Sequence, residues 1–433
     1  MSGIVLVVGS GGREHALARE LALSARKVYI APGNAGTSEV GENVPISPMD
    51  FPAIIRFVEK HGVDLTVVGP DAPIAAGIAD AFGVRRLPIF APSRNAAVVE
   101  SSKVSTKFTL LERGIPTAPG TGFYSRKHAL AHVRSRSTPF VVKADGPARG
   151  KGVFVCATAE EGEEVVRKLM YEHTLGDAGD KVVVEDCLFG TEFSVHALCG
   201  FSRTQGACFD VFPLSQDHKR LLEGDKGPMT GGMGAVAPLP HADAESMIKK
   251  VKELIIAPLL RELAAQKRPF VGLLYPGIMA TEDGPKALEF NARFGDPEAQ
   301  VYLPLLASNL SATLSACARG ELSSVTPLSW RSGYVTCVVL ASGGYPGAYK
   351  TGAPITGIKE AARLRDVYLF HAGTAYDESG HLVTDGGRVL GVSAFGVTMQ
   401  DSIERAYEAV RHIYFPGMYY RRDIGYKALQ AVI

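Results

Sequence analysis

The chain has 433 residues, and at about 150 residues per domain that implies about three domains. Apolar residues make up 46% and charged residues 21%, and 46 Lys and Arg oppose 45 Asp and Glu for a net charge of +1. This excludes the basic excess of a nucleic-acid binder and the charged tails of membrane-surface proteins, and no apolar run reaches the roughly 18 residues of a membrane helix.

The first hundred residues alternate between apolar runs and glycine loops. Residues 4–8 read as a strand, followed by Gly9-Ser10-Gly11-Gly12 and a helix over 13–24. A second strand, 27–31, ends in Pro32-Gly33-Asn34-Ala35-Gly36-Thr37. A helix over 51–61 leads to a strand at 64–68, and a fourth strand spans 88–91. Strand, glycine loop and helix in alternation predict an open parallel sheet that binds ligands at its carboxyl edge. The run 4–8 is too short for a signal-peptide core, so the chain reads as cytosolic and starting near Met1.

A helix over 95–114 follows, with Val104, Phe108 and Leu111 expected toward the core and Lys103 and Lys107 beside that stripe. A second unit, about 118–189, holds antiparallel strands at 140–143 and 153–157 around the loop 145–152, a helix at 159–173 and a strand at 181–185. A third, about 190–325, holds the strand 191–198, the polar loop 216–234, a helix over 243–266 interrupted at Pro258, and a hairpin pairing 271–281 with 285–294 across Glu282-Asp283-Gly284. The last hundred residues are strand-rich, with turns at 343–347 and 385–387. Their helix, 401–414, carries Ile403, Tyr407 and Val410 on one face. No internal repeat is visible.

The 47 glycines are about 11% of the chain against a usual 7% or so, and they cluster at the ends of apolar runs. The six cysteines (156, 187, 199, 208, 317 and 337) include no CxxC pair and sit among apolar neighbours. Buried free thiols are expected rather than zinc ligands or disulfides.

Two common nucleotide motifs fail. In Gly9-Ser10-Gly11-Gly12-Arg13-Glu14, Glu14 stands where a dinucleotide fingerprint needs its third glycine, and no acidic residue closes the second strand. The stretch 146–152 is one residue short of a P-loop and lacks its Ser or Thr. It remains a glycine loop with Lys151, either a hairpin tip or a cover over phosphates. Lys143, on the face shared with Val141 and Asp145, either snorkels to an edge or meets an anion.

The run 286–294 alternates. Leu288, Phe290, Ala292 and Phe294 are expected toward the core, with Glu289, Asn291 and Arg293 on the opposite face. That polar face is either solvated or a site, Glu289 and Asn291 offering hard oxygens to Mg²⁺ and Arg293 a charge for phosphoryl oxygens. Glu185 and Glu192 flank an apolar connection suited to adenine and ribose, an unspecific signal. The loop 215–234 reads as a disordered surface loop or as a close backbone approach at Gly231-Gly232-Met233-Gly234. His218 in it reads as solvated.

Together these stretches resemble the glycinamide ribonucleotide synthetase family of phosphoribosylamine–glycine ligases, within the ATP-grasp superfamily. The diagnostic pieces are Gln216-Asp217-His218-Lys219-Arg220 with Gly231-Gly232-Met233-Gly234, and Leu288-Glu289-Phe290-Asn291-Ala292-Arg293-Phe294-Gly295-Asp296-Pro297-Glu298. Phe370-His371-Ala372-Gly373-Thr374, Gly386-Gly387-Arg388-Val389-Leu390 and Arg422-Asp423-Ile424-Gly425 extend the likeness to the end. The chain departs from the family pattern at Asp71, Pro147, Arg149, Met229 and 201–212, none of which removes an implied ligand.

The resemblance implies an α/β protein with an N-terminal open parallel sheet (1–102), a split ATP-grasp α+β core (103–117 and 190–325), its lid (118–189) and a strand-rich C-terminal domain (326–433). It implies ATP phosphates on Lys103 and Lys143 under a lid loop with Gly146, Gly150, Lys151 and Gly152. Adenine would lie at Glu185, Asp186 and Leu188, ribose at Glu192, and Mg²⁺ or Mn²⁺ on Glu289 and Asn291. Arg293, Lys143 and Asp217 would act in catalysis. Phosphoribosylamine would fall to Gly11, Gly12, Arg13, Asn34, Gly36 and Thr37, and glycine to the loop with Asp217 and Lys219.

The implied reaction is ATP-dependent joining of glycine to phosphoribosylamine in a monomeric, cytoplasmic, single-function enzyme. Its partners would be small molecules, with transient contact to the enzyme supplying the amine, and neither nucleic acid nor membrane. Alternatives are another ATP-grasp ligase or carboxylase, a nicotinamide oxidoreductase and a non-catalytic nucleotide-binding regulator.

Overall fold

A computed structural model describes residues 3–137, 139–148, 152–240 and 243–430. Strands β1 (Ile4–Gly9), β2 (Lys27–Pro32), β3 (Glu42–Asn43), β4 (Leu65–Val68) and β5 (Ile89–Phe90) form a parallel sheet in the order β3-β2-β1-β4-β5. Their side chains are apolar on both faces because both faces are covered. Val5 and Val7 pack with the helix Gly12–Ala22, whereas Leu6 and Val8 pack with the helix Phe51–His61. Asp50 caps that second helix by accepting from the Ala53 amide at 3.0 Å, and Gly62 ends it in the left-handed region at φ 60°.

Strands β6 (Gly120–Phe123), β7 (Phe140–Ala144), β8 (Val153–Cys156) and β9 (Val182–Asp186) form an antiparallel sheet, β6-β9-β7-β8. Phe140, Val142 and Ala144 pack with Val166, Leu169 and Ala129 in a core of their own. Gly162 is obligatory there, since a Cβ would come within 2.4 Å of the Phe140 ring.

Next come β10 (Thr191–Ser194), β11 (Ala197–Ser202), β12 (Gly206–Val211) and β13 (Gln216–Asp217). The hairpin β14 (Arg220–Leu222) and β15 (Lys226–Met229) leads to β16 (Gly234–Ala237), β17 (Gly272–Thr281) and β18 (Gly284–Asn291). β17 joins β10, β11 and β18 in one sheet. β13 and β16 instead pair into the last sheet, β13-β16-β19-β23-β20, with β19 (Tyr334–Ala341), β20 (Val367–His371) and β23 (Arg388–Gly396); β21 (Thr374–Tyr376) and β22 (Leu382–Thr384) form a small ladder. Phe294, Leu198 and Cys337 share one core with Val5, Val7 and Phe370, so the first, third and last sheets are packed as one body.

Several sequence expectations need correction. The segment 95–114 is two helices, Val98–Ser101 and Lys103–Glu112, because extended Ser102 caps the second by accepting from the Ser105 amide at 3.2 Å. Val104 is buried as expected and Phe108 half-buried, but Leu111 is exposed and Lys107 buried, so the buried face is rotated from the expected stripe. The expected strand 191–198 is broken between β10 and β11. In 243–266 the interruption is a π turn at Lys252–Ile256, ahead of Pro258, whose missing N–H and bulky ring disfavour a regular turn.

In β18, Gly277 faces Glu289 while Ile278 faces Ala287, so Leu288 is the extra residue of a bulge and is only half-buried. The polar loop is ordered, and its His218 is buried, its ring nitrogens meeting the Gly234 carbonyl and the Gly425 amide, each at 3.3 Å. The cysteines are free, but Cys187 and Cys208 are only half-buried. Among the described residues, no helix is long and apolar enough to cross a membrane.

His15 and His371 tie the first helix to β20: the His371 amide donates to His15 Nδ1 at 2.9 Å, and the rings lie 5.6 Å apart. Burial, then the neighbouring His371 and Arg19, lowers His15 to about 3, and burial lowers His371 to about 4.

Two outcomes follow from this packing. Phe140→Ala, leaving a cavity worth about 3–5 kcal/mol, should speed hydrogen exchange in β7 and β9 while β1 and β4 keep their protection. Uniform loss of protection would refute a separate core. For the histidines, the unfolded chain binds protons below about pH 6.5 and the folded chain does not, so stability falls as pH drops from there toward 4. From pH 6.5 to 5 the pair should forfeit about 3 kcal/mol, seen as a lower urea midpoint; an unchanged midpoint would contradict their burial as neutral rings.

Candidate functional site

A cavity of about 1670 Å³ lies where the four-stranded β6–β9 unit faces the other sheets. Lys143 and Gly152 line it from one side, Glu289, Asn291 and Arg293 from the other, and Arg13 reaches it from the helix Gly12–Ala22. Lys103, Glu185, Asp186, Leu188, Glu192, Asp217 and Lys219 also line it. Gly150 and Lys151, named above for the loop over the phosphates, and the variant Arg149 lie outside the described residues.

Lys143 does not snorkel. It is 5% exposed, pairs with Glu185 and donates to the Leu288 carbonyl, the bulge residue, at 2.8 Å. The other Glu185 oxygen is 2.6 Å from Lys107 Nζ, which also donates to Thr117 Oγ1 and the Ala118 carbonyl, both at 2.9 Å. Burial pushes the Lys107 ammonium down against the pull of Glu185. Glu185 is thus a buried counter-ion for two lysines. Asp186 pairs with Arg136, and Lys103 Nζ reaches the Gly146 carbonyl at 3.4 Å. Gly146 itself does not line the cavity.

The bulge sets the face of β18. Beyond it, Phe290, Ala292 and Phe294 are buried and the residues between them turn to the cavity. Arg293 lies 3.4 Å from Glu100 and donates to Asn291 Oδ1 at 3.1 Å. Burial raises the Glu289 carboxyl, but Lys219, Lys103, Lys143 and Arg293 outweigh it and hold the group below its usual range. Lys219 also pairs with Glu192. Hard oxygens two residues apart, beside three lysines, suit a divalent cation shared with phosphates.

Asp217 differs. Burial, then Glu298, raises its carboxyl well above the usual range, against Lys219 and Arg388. Its Oδ1 is buried with no hydrogen-bond partner among the described residues. An orphan acceptor on the wall of a cavity favours a cationic donor.

The N-terminal loops are placed differently from expectation. Gly11, Gly12, Asn34, Gly36 and Thr37 do not line the cavity. The Gly11 amide already donates to Glu14 Oε2 at 2.6 Å. Asn34 spends its amide on the Ser10 and His371 carbonyls at 2.7 Å each, and its Oδ1 accepts from Gly36 and Thr37 at 2.9 and 3.0 Å. Glu14 also fills the crevice beside Gly69, where a Cβ would come within 1.9 Å of its Oε1. That side chain stands where a dinucleotide would need open backbone.

Sequence reasoning missed Lys107, Glu100 and Arg388. Lys107 stands three residues from both Val104 and Leu110, a spacing that puts it on their buried face. Arg388 opens β23 and bridges two loops, donating to the Asp296 carbonyl at 2.7 Å, Asp296 Oδ2 at 2.8 Å and the Gly231 carbonyl at 2.6 Å. Its signal was a lone cation between a double glycine and an apolar strand.

The chain matches three family descriptions in sequence: phosphoribosylglycinamide synthetase N domain over residues 4–100, ATP-grasp (A) domain over 101–299, and C domain over 335–427. It is 44% identical over 428 residues to a phosphoribosylamine–glycine ligase of Nostoc sp., covering 98% of this chain and 99% of that protein. It is also 44% identical over 434 residues to the trifunctional purine biosynthetic protein adenosine-3 of Gallus gallus, covering 99% of this chain but 42% of that one. The crystal structure of phosphoribosylamine–glycine ligase from Thermotoga maritima superposes with a TM-score of 0.84 at 34% identity, covering 97% of this chain and all of that one. A 2-oxoglutarate carboxylase biotin carboxylase domain of Hydrogenobacter thermophilus shares the fold at 14% identity, TM-score 0.70. Matched over residues 4–299 and 335–427 by its three domains, the chain belongs to the phosphoribosylglycinamide synthetase family of ATP-grasp ligases.

Proposed function

We propose that the chain joins glycine to 5-phosphoribosylamine at the expense of ATP, through glycyl phosphate, giving glycinamide ribonucleotide, ADP and phosphate. The observation that carries this is one cavity wall bearing Glu289, Asn291 and Arg293 opposite Lys143 and Lys103. Transfer of a phosphoryl group needs positioning and charge neutralisation more than a strong base, and this wall supplies both.

In this reading, a glycine carboxylate oxygen bonds the γ-phosphorus as the bond to the β-bridging oxygen breaks and ADP leaves. The phosphoribosylamine nitrogen then bonds the acyl carbon, phosphate leaves with the acyl oxygen, and the nitrogen loses a proton. Lys143 and Lys103 hold the polyphosphate, and Arg293 holds the transferring group. Mg²⁺ or Mn²⁺ on Glu289 and Asn291 would supply further neutralisation of the phosphate oxygens.

Asp217 accepts the glycine ammonium, whose charge returns the buried carboxyl to its ionised form. Arg13, on the cavity wall at a helix N-terminus, takes the ribosylamine phosphate. The loops at Asn34–Thr37, already satisfied internally, serve to hold that wall. Ribose lies at Glu192 and adenine along Asp186 to Leu188. The reading includes a cytoplasmic, monomeric enzyme in transient contact with the source of its unstable amine.

The test is ADP formation with Mg-ATP, glycine and phosphoribosylamine made in place from ribose 5-phosphate and ammonia, each component omitted in turn. ADP should appear only with all present and match the amide formed. ADP release indifferent to glycine would point to another ATP-grasp ligase or carboxylase. Arg293→Lys should cut kcat about 100-fold or more with KM for ATP little changed. A fully active variant would remove Arg293 from the chemistry.

A further inference from the structure

The last segment of the chain is stitched to the loop that carries Asp217 and Lys219. Arg421, fully buried, makes a two-pronged pair with Asp423 at 2.7 Å on each side. Its remaining nitrogen donates to Asp225 Oδ1 at 2.9 Å and the Arg220 carbonyl at 3.0 Å, both in the loop. Asp423 Oδ2 accepts from the Gly224 amide at 2.9 Å, and the Gly425 amide donates to buried His218. The Tyr419 hydroxyl donates to the Leu221 carbonyl at 3.1 Å, and Tyr407 holds the Arg421 carbonyl at 2.8 Å.

The loop end so held is one the chain would not hold alone. Gly224 and Asp225 both have positive φ, 65° and 53°, and the latter is unusual for a residue with a side chain. β14 and β15 pair only with each other. In the same loop Asp217, Lys219, Arg220, Asp225 and Met229 line the cavity, as does Lys427 of the last segment, which also pairs with Asp225. A guanidinium with five fixed donors suits this task, since one rigid plane binds a carboxylate on its own segment and two acceptors on another.

We infer that Arg421 is a positioning residue for the small-substrate side of the reaction: through the loop 217–230 it sets the geometry in which Asp217 meets glycine. The inference rests on the ligase reading above and adds to it that glycine affinity is governed from the C-terminal segment. Lys143, Lys103 and Arg293 are held by other elements, and only Lys219 carries the loop to Glu192 and, at 3.9 Å, to Glu289, so the effect on ATP should be smaller than that on glycine.

The experiment is steady-state kinetics on full-length Arg421→Lys and Asp225→Asn, with thermal melting measured alongside. Lysine keeps the charge but not the fork, and Asp225 is only partly buried, so at least one variant should fold. KM for glycine should rise at least fivefold in both, with KM for ATP within twofold of the parent and kcat restored at saturating glycine. A lower melting temperature with unchanged glycine KM would overturn the inference and leave Arg421 a purely structural residue. So would a uniform rise in every KM. Glycine-independent turnover by the parent chain would instead sink the ligase reading, which separates the two failures.

Discussion

One buried carboxylate placed between two lysines conditions the lysine-bearing wall of the cavity. Glu185 lies between Lys107 and Lys143, each of which would be costly to desolvate alone. The consequence is functional as well as structural. In the ligase reading the cavity must hold cations before any phosphate arrives, and cations buried without a counter-ion are costly. Glu185 neutralises them, and Lys107, fixed by Thr117 and Ala118, keeps the carboxylate in place if Lys143 turns to a phosphate. Lys107 therefore does for Glu185 what Glu185 does for Lys143.

The opposite wall answers a different problem, the control of register. A strand side chain turns to the other face with each residue, so a shift of one exchanges core and site. The extra residue at Leu288 makes that shift where the site begins, and its carbonyl becomes the acceptor for Lys143. The same irregularity thus orients Glu289, Asn291 and Arg293 and anchors the lysine facing them.

Two arginines from the C-terminal region support the cavity by holding a loop, Arg388 from its wall and Arg421 from behind it. Arg388 joins the Gly231–Gly232 turn to Asp296, and Arg421 joins the other end of the same loop to the last segment. The loop sits between β13 and β16, which pair into that sheet, so the sheet and both arginines act on one piece of chain. The four-stranded unit with its own core stands apart from this arrangement.

The local pattern of the sequence was enough to find the parallel sheet, the hairpin and the polar face of β18, because periods of two and of 3.6 residues are written in consecutive residues. The glycine loops and the diagnostic motifs likewise identified the family. What lay beyond it depended on partners distant in the chain. The bulge at Leu288 exists only relative to β17. Lys107 reads as a surface cation until Glu185, 78 positions later, is placed beside it. His218 reads as solvated until Gly425 covers it, and Asn34 reads as a ligand until His371 occupies its amide. Periodicity reports which way a side chain points; the tertiary structure alone decides what it meets, because the energy of a buried charge or amide is set by its partners and not by its neighbours in sequence.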